Sequence, residues 1–350
     1  MSVVAGVLRG SVSIAAAIRL LTAVALVASP DTSVAQDTGR INIYRYILDI
    51  DVPEPAALVA LDRAPAHVLR ASAPKPLAAT VAFAHDRGGA ATTMVAVDLS
   101  PYFLVGGGIR TLRSYRSMTA WGRIRRVITK TTLGLGAAWD PADPGAPQVA
   151  LALRTTFHDP HDPIPPPGGL VERVEAALAE QGIAPAADEE DVAARGVDLR
   201  SLYTESAREM RARCCLQIAG GWGLAGRLGG AAFAGDSLDQ VRHTLFVTTQ
   251  YTFARRFDLL TTAQLWNGLG QDTHLRVGAA LMRKTTAVDL TTELYFDSAD
   301  DRLHPGVWLE GHPLPRVRAA VSLGTDTDAA GGPTRLRVRT LLRWYMAQSH

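Results

Sequence analysis

Apolar and polar residues alternate along the C-terminal part of the chain in runs of roughly ten residues, and the joints between runs are by turns tight and roomy. The runs are Gln240–Phe253, Phe257–Trp266, Asp272–Lys284, Thr286–Asp297, Leu303–Glu310, Leu314–Thr325 and Thr334–Met346. Arg255–Arg256, Thr285 and Gly311–Pro313 read as tight joints; Asn267–Gln271, Asp297–Arg302 and Asp326–Pro333 read as longer loops rich in Gly and Asp. Successive side chains on a strand point to opposite sides of a sheet, so each run has two faces. Along 335–345 one face carries Arg335, Arg337, Arg339, Arg343 and Tyr345, and the other Leu336, Val338, Leu342, Trp344 and Met346. Leu275, Val277, Ala279 and Leu281 likewise oppose His274, Arg276, Gly278, Met282 and Lys284. Val288, Leu290, Leu294 and Phe296 oppose Asp289, Thr291, Glu293, Tyr295 and Asp297.

Earlier runs extend the series. Leu77–His85 and Ala91–Leu99 flank the turn residues Asp86–Gly89; Thr119–Trp139, Gln148–Phe157 and Arg213–Leu224 follow. The expected fold is all-β: an antiparallel transmembrane β-barrel of about 12 strands, an even number as in bacterial outer-membrane barrels, with a small helical periplasmic insertion. A soluble β-sandwich alternates too. The loop asymmetry favours the barrel, because the tight joints fall on one side and the long Gly/Asp-rich loops on the other.

The N-terminus changes the picture by adding a compartment. Arg9 and Arg19, the apolar run Leu20–Ala28 and the small residues Ser33-Val34-Ala35 before Gln36 have the order of a secretory signal peptide, residues 1–35. No later stretch has the roughly twenty consecutive apolar residues of a helical span. Residues 36–76 are punctuated by Pro53, Pro55, Pro65, Pro74 and Pro76, with Ala56–Leu61 able to form a helical turn or two. They read as a periplasmic or plug segment, packed in the barrel mouth or under it, and 77–350 as the barrel. Residues 158–212 interrupt the barrel on the side expected to have short turns. There, Leu170–Gln181 has a helical apolar face (Val171, Val174, Leu178) stopped by Gly182, and a second helix is expected from Asp198.

Composition adds less. The formal charge of +2 gives no reason to expect nucleic acid, and 33 of the 36 basic residues are arginine, which together with the abundant alanine fits the codon bias of a G+C-rich genome. Cys214 and Cys215 are neighbours, poorly placed to bond each other and without metal-pair spacing.

Val52-Pro53-Glu54-Pro55-Ala56, Ser72-Ala73-Pro74-Lys75-Pro76-Leu77 and Val97-Asp98-Leu99-Ser100-Pro101-Tyr102-Phe103-Leu104 resemble a group of bacterial outer-membrane β-barrel proteins without settled function. Members carry a Val-Pro-Glu-Ser-Pro-Ala type segment and a later acidic-x-x-Pro-Tyr-aromatic-Leu step; here Pro55 follows Glu54 directly. The resemblance implies the fold and the outer membrane as location.

Candidate chemistry lies on the inward face. Parity points Arg276, Arg316, Arg318, Arg335, Arg337, Arg339 and Arg343 into the lumen, with Lys284, Arg154 and Arg242, beside Asp289, Glu293, Asp258 and Glu310. Basic residues lining a pore favour anions; in a narrow barrel, facing charges also pair and fill the lumen. His158-Asp159-Pro160-His161-Asp162-Pro163 reads as two turns rather than a metal site. No nucleophile elbow or His-x-Ser pair occurs on a strand, so no enzyme, catalytic residue, metal or cofactor is expected. The expected role is a narrow passive channel for small anionic solutes through an Arg-lined lumen. The alternative is a non-conducting barrel that scaffolds an envelope partner through 158–212. Expected partners are outer-membrane lipids, the barrel-assembly machinery, small anionic solutes and a periplasmic partner at 158–212.

Overall fold

The computed structural model describes residues 53–64, 66–71, 77–86, 91–101, 128, 130–140, 147–159, 176–183, 194–197, 216–227, 241–254, 257–268, 273–285, 288–314, 317–326 and 335–345. The signal-peptide reading, Cys214–Cys215, most of the 158–212 insertion with its second helix, and Arg316 lie outside them.

Twelve antiparallel strands close into one barrel. They are β1 (Leu77–Asp86), β2 (Thr92–Leu99), β3 (Thr131–Trp139), β4 (Gln148–His158), β5 (Leu216–Arg227), β6 (Arg242–Ala254), β7 (Phe257–Gly268), β8 (His274–Arg283), β9 (Val288–Asp297), β10 (Arg302–Leu314), β11 (Val317–Asp326) and β12 (Arg335–Tyr345). Each pairs with its neighbours in sequence, and β1 pairs with β12 to close the ring, Ala78 opposite Tyr345 through Asp86 opposite Arg337. Closure leaves no edge strand, the condition for strands to cross a bilayer.

The outer face is apolar. On β8, Leu275, Val277 and Leu281 are exposed while Arg276 and Met282 are buried; β9, β11 and β12 follow the same period of two. Leu294, Val307, Leu309, Val321, Leu323, Leu336 and Leu342 continue this exposed apolar band around the barrel. So large a patch on a soluble protein would be an aggregation site; on a closed barrel it is the lipid-facing surface. The chain is a transmembrane β-barrel of the outer-membrane class.

Two strand boundaries differ from the expectation. β3 begins at Thr131 rather than Thr119, and Lys130 is already in a turn. Gly311–Pro313 is not a joint: β10 runs through it to Leu314 with a register shift between Gly311 and Leu314. Gly and Pro mimic a turn there, but a bulge frees one residue from the ladder and so accommodates a proline without an N–H. The next strand, β11, begins at Val317.

At the barrel end where β1 begins and β12 ends, 255–256, 284–287 and 315–316 are short, whereas 100–130 and 159–215 are long. Within the latter, residues 176–180 form a helical turn. Gly182 (φ 68°) ends it, with Ile183 N–H donating to Leu178 O at 2.9 Å and Gly182 N–H to Ala179 O at 2.9 Å. This left-handed stop, with Leu178 and Ile183 both buried, is the Schellman arrangement.

Candidate functional site

Residues 53–71 fill the lumen. The segment begins with helix α1 (Ala56–Ala60), all five residues of which are buried and which packs against β2 to β6. A helix of Ala-Ala-Leu-Val-Ala has no polar side chain to offer a pore, so the wall it meets must be small and apolar. The inward positions there are Ala82, Ala84, Ala96, Gly134, Gly136, Ala138, Ala150, Ala152 and Gly223. A Cβ on Gly136 would lie 2.9 Å from that of Ala57, and one on Gly223 2.5 Å from that of Ala60. At both positions the absence of a side chain is what admits the helix. The inward face of β1–β5 is thus small and apolar where α1 packs, with polar side chains such as Thr80, Asp98, Arg154 and Gln217 around that patch.

The helix ends at Asp62, a non-glycine residue in the left-handed region (φ 57°). Asp62 N–H donates to Val59 O at 3.0 Å and Arg63 N–H to Leu58 O at 2.8 Å, and the chain reverses. Pro53 and Ala71 both lie toward the end of the barrel where β1 begins and β12 ends (the terminal end), near Arg343, Glu310 and Gln250; the Asp62 reversal reaches toward the other end, near Arg242 and Arg276. The segment therefore enters and leaves by one mouth.

The returning limb is gripped through its backbone by polar positions of β6, β7 and β9. His67 and Val68 N–H donate to Glu293 Oε2 at 3.0 and 3.1 Å, Leu69 N–H to Thr262 Oγ1 at 2.7 Å, and Ala71 N–H to Gln250 Oε1 at 3.3 Å. Gln264 Nε2 donates to His67 O at 3.0 Å, and Thr248 Oγ1 donates to Leu69 O. Arginines take further carbonyls: Arg154 those of Glu54 (3.2 Å) and Arg70, Arg242 that of Ala60 (2.8 Å), Arg339 that of Ala64, and Arg343 that of Pro53 (2.6 Å).

Ion pairs fix the limb at two heights. Near the terminal end Arg70, 1% exposed, contacts Glu54 at 3.2 Å and Glu310 at 2.5 Å and lies 4.5 Å over the Trp308 ring; Arg318 joins Glu310 at 2.6 Å. Near the other end Arg276 contacts Asp297 at 2.5 Å and Asp62 at 2.8 Å, between the rings of Trp266 (4.4 Å) and Tyr295 (5.1 Å). Its Nη1 is 2.7 Å from His67 Nδ1. A guanidinium only donates, so Nδ1 accepts and the imidazole is neutral with its proton on Nε2. Burial, and then the Arg276 charge, push His67 well below its ordinary pKa. Burial alone would raise Asp62, but the charges of Arg276 and Arg242 hold its carboxyl well below the usual range.

The residues singled out in the sequence are dispersed over this assembly. Arg276, Arg318, Arg339, Arg343, Asp289 and Glu293 are buried on the inward face, and Arg337 is half-buried on it. Asp289 sits at the terminal end, accepting Thr285 N–H at 3.2 Å. Lys284 pairs with Asp258 at 2.7 Å. Arg335 begins β12 opposite Asp326, and its side chain lies outside the described residues. The antiparallel register sets Arg318 against Arg343, and Arg337 and Arg339 against Gly324 and Ser322. Of the His-Asp-Pro turns, His158 is exposed and Asp159 accepts from Gln217 at 3.0 Å; His161 and Asp162 lie outside the described residues.

Sequence reasoning missed Glu54, Asp62, His67, Arg70 and the Thr248–Gln250 and Thr262–Gln264 pairs. Trp266 and Trp308, near strand ends, face inward beneath arginines. The in-phase polar residues on β6 and β7 were the available signal.

No family model and no curated protein matches the chain. Among solved structures it is similar to the KdgM porin in complex with disordered oligogalacturonate (6% identity, TM-score 0.43, 77% of this chain and 99% of that one). It is also similar to the NanC porin (7%, 0.40, 77% and 100%) and to Omp33 of Acinetobacter baumannii (7%, 0.38, 78% and 98%). The barrel of the present chain is established by its own strand pairing.

Proposed function

We propose that the protein is an outer-membrane channel for small anionic solutes, closed at rest by residues 53–71. The observation that carries this reading is the use of Arg154, Arg242, Arg339 and Arg343 as donors to backbone carbonyls of the segment. A guanidinium forms a bidentate ion pair with a carboxylate or phosphate that a single carbonyl cannot match, so such an anion entering the lumen competes with those carbonyls. Withdrawal of the segment returns the same groups to the lumen, where cations lower the desolvation cost of a passing anion. The segment belongs to no barrel strand, so it can leave without opening a ladder.

Planar-bilayer recording of the full-length protein, with reversal potentials in a salt gradient, tests this. The native chain is expected to be nearly silent, and Arg70→Ala, which removes the Glu54 and Glu310 pairs, to give anion-selective steps. Adding Arg337→Ser and Arg339→Ser should reduce that selectivity. A folded Arg70→Ala protein without conductance would overturn the channel reading in favour of a non-conducting barrel that scaffolds a partner through 158–212.

A further inference from the structure

Along 67–71 the wall reads the backbone. Seven main-chain groups of five consecutive residues are bonded by six wall side chains: Thr248 and Gln250 of β6, Thr262 and Gln264 of β7, Glu293 of β9 and Arg154 of β4. The wall supplies acceptors for N–H at 67, 68, 69 and 71 and donors for C=O at 67, 69 and 70; the chain bends at 67–68, where both N–H groups meet Glu293 Oε2, and from 69 to 71 Leu69 and Ala71 bond to β6 and β7 while Arg70 turns its main chain to Glu54 and Arg154. Thr262 donates onward to Thr248 at 3.1 Å, so one hydroxyl relay serves both the N–H and the C=O of Leu69. Side-chain recognition is confined to Val68 against Leu260, Ala280 and Met282, buried Leu69, the His67 ring, and Arg70 at Glu310 and Trp308. The limb is joined to β1 only through residues 72–76.

We propose that this strip is a binding site for a peptide with two apolar residues followed by an arginine, which residues 66–71 occupy in cis and a free peptide of the same chemistry occupies in trans. A site that bonds the main chain accepts any backbone of the same shape, while pockets select side chains. Here the Val68 contacts and the Glu310–Trp308 seat for Arg70 supply the selection. The proposal stands on the bonding of the limb and does not depend on whether the barrel conducts.

The test uses the full chain with a protease recognition sequence placed within 72–76, folded, then cut, so that the N-terminal piece is held only by its contacts. Gel filtration in detergent reports whether the piece stays with the barrel, and a labelled synthetic peptide of residues 53–71 reports exchange. The piece is expected to co-elute with the barrel and to be replaced by excess peptide. An Arg70→Ala peptide, and one N-methylated at Leu69, should each compete at least tenfold more weakly; Leu69→Met, which keeps backbone and volume, should compete within threefold. Gln250→Leu, Thr262→Val and Gln264→Leu together should release the piece from a barrel still folded by heat-modifiable gel migration.

Loss of the piece from the native wall, failure of excess peptide to replace it, or equal competition by the N-methylated peptide would each overturn the proposal. In uncut protein, labelled peptide taken up by monomers would support a free peptide as the trans occupant; no uptake, or uptake only by cross-linked dimers, would overturn it.

Discussion

Asp62 and His67 show how single residues hold the segment. A left-handed non-glycine residue costs about 1–2 kcal/mol, and glycine would avoid it. Asp62 is there because its carboxylate reaches Arg276 at 2.8 Å. His67 is neutral beside the same guanidinium. The charged or titratable groups around it are Arg276 of β8, Glu293 and Tyr295 of β9, Arg337 and Arg339 of β12, and Asp62. Its pKa is lowered in the docked segment, so the withdrawn state binds more protons. The His67 contribution to docking is therefore complete above the ordinary histidine value of about 6.5 and is lost as pH falls below it. Asp62, held low, stays ionised over that range. Lowering the pH from 7.5 to 5 is expected to reduce the midpoint of heat-modifiable gel migration by several degrees. His67→Gln should remove most of that fall; an equal fall in both proteins would assign it to other groups.

At the scale of elements, the strands were legible and the lumen was only half so. Alternation of Leu275, Val277 and Leu281 with Arg276 and Met282 fixes a strand, its two faces and the medium each faces, because the period of a strand is two and lipid tolerates only one kind of residue. The joint after β10 was misread because Gly311–Pro313 has turn chemistry and only the partner strand's register shows the bulge. Residues 53–71 were hard to read for a different reason: their partners are up to 290 positions away, as from Arg343 to Pro53, and no local period encodes them. The alanines attributed to codon bias have a place in the lumen, lining β1–β5 where α1 packs. This makes a contrast between two glycines informative. Gly136→Val puts a branched side chain where even Cβ is 2.9 Å from Ala57, and overpacking of this kind costs about 1–3 kcal/mol. Gly324→Ala meets nothing nearer than 3.7 Å and should change stability by less than about 0.5 kcal/mol. Denaturant titration in micelles checks both; equal effects would mean that α1 does not constrain β3.

For the whole molecule the question is whether barrel and segment are one cooperative body or two. The ring is closed by the β1–β12 ladder, and Arg343 stands at that seam, donating to Thr80 of β1 at 3.2 Å and to Pro53 O at 2.6 Å. Seam and segment thus share a side chain, but the segment adds no strand to the ladder, so the ring persists when it moves. A covalent lock separates the two bodies. Val68 lies against Gly278, where Val68 Cγ2 is 2.8 Å from the place of a Cβ. A cysteine pair at 68 and 278, in a chain with Cys214 and Cys215 changed to serine, therefore comes within bonding reach once β8 and β9 give by the few tenths of an ångström that a Cβ 2.7 Å from that of Tyr295 demands. In the Arg70→Ala background the oxidised lock should abolish conductance, and reduction should restore it in the same bilayer. Unchanged conductance in the oxidised protein, with the bond verified by mass, would mean that ions pass by a route the segment does not block.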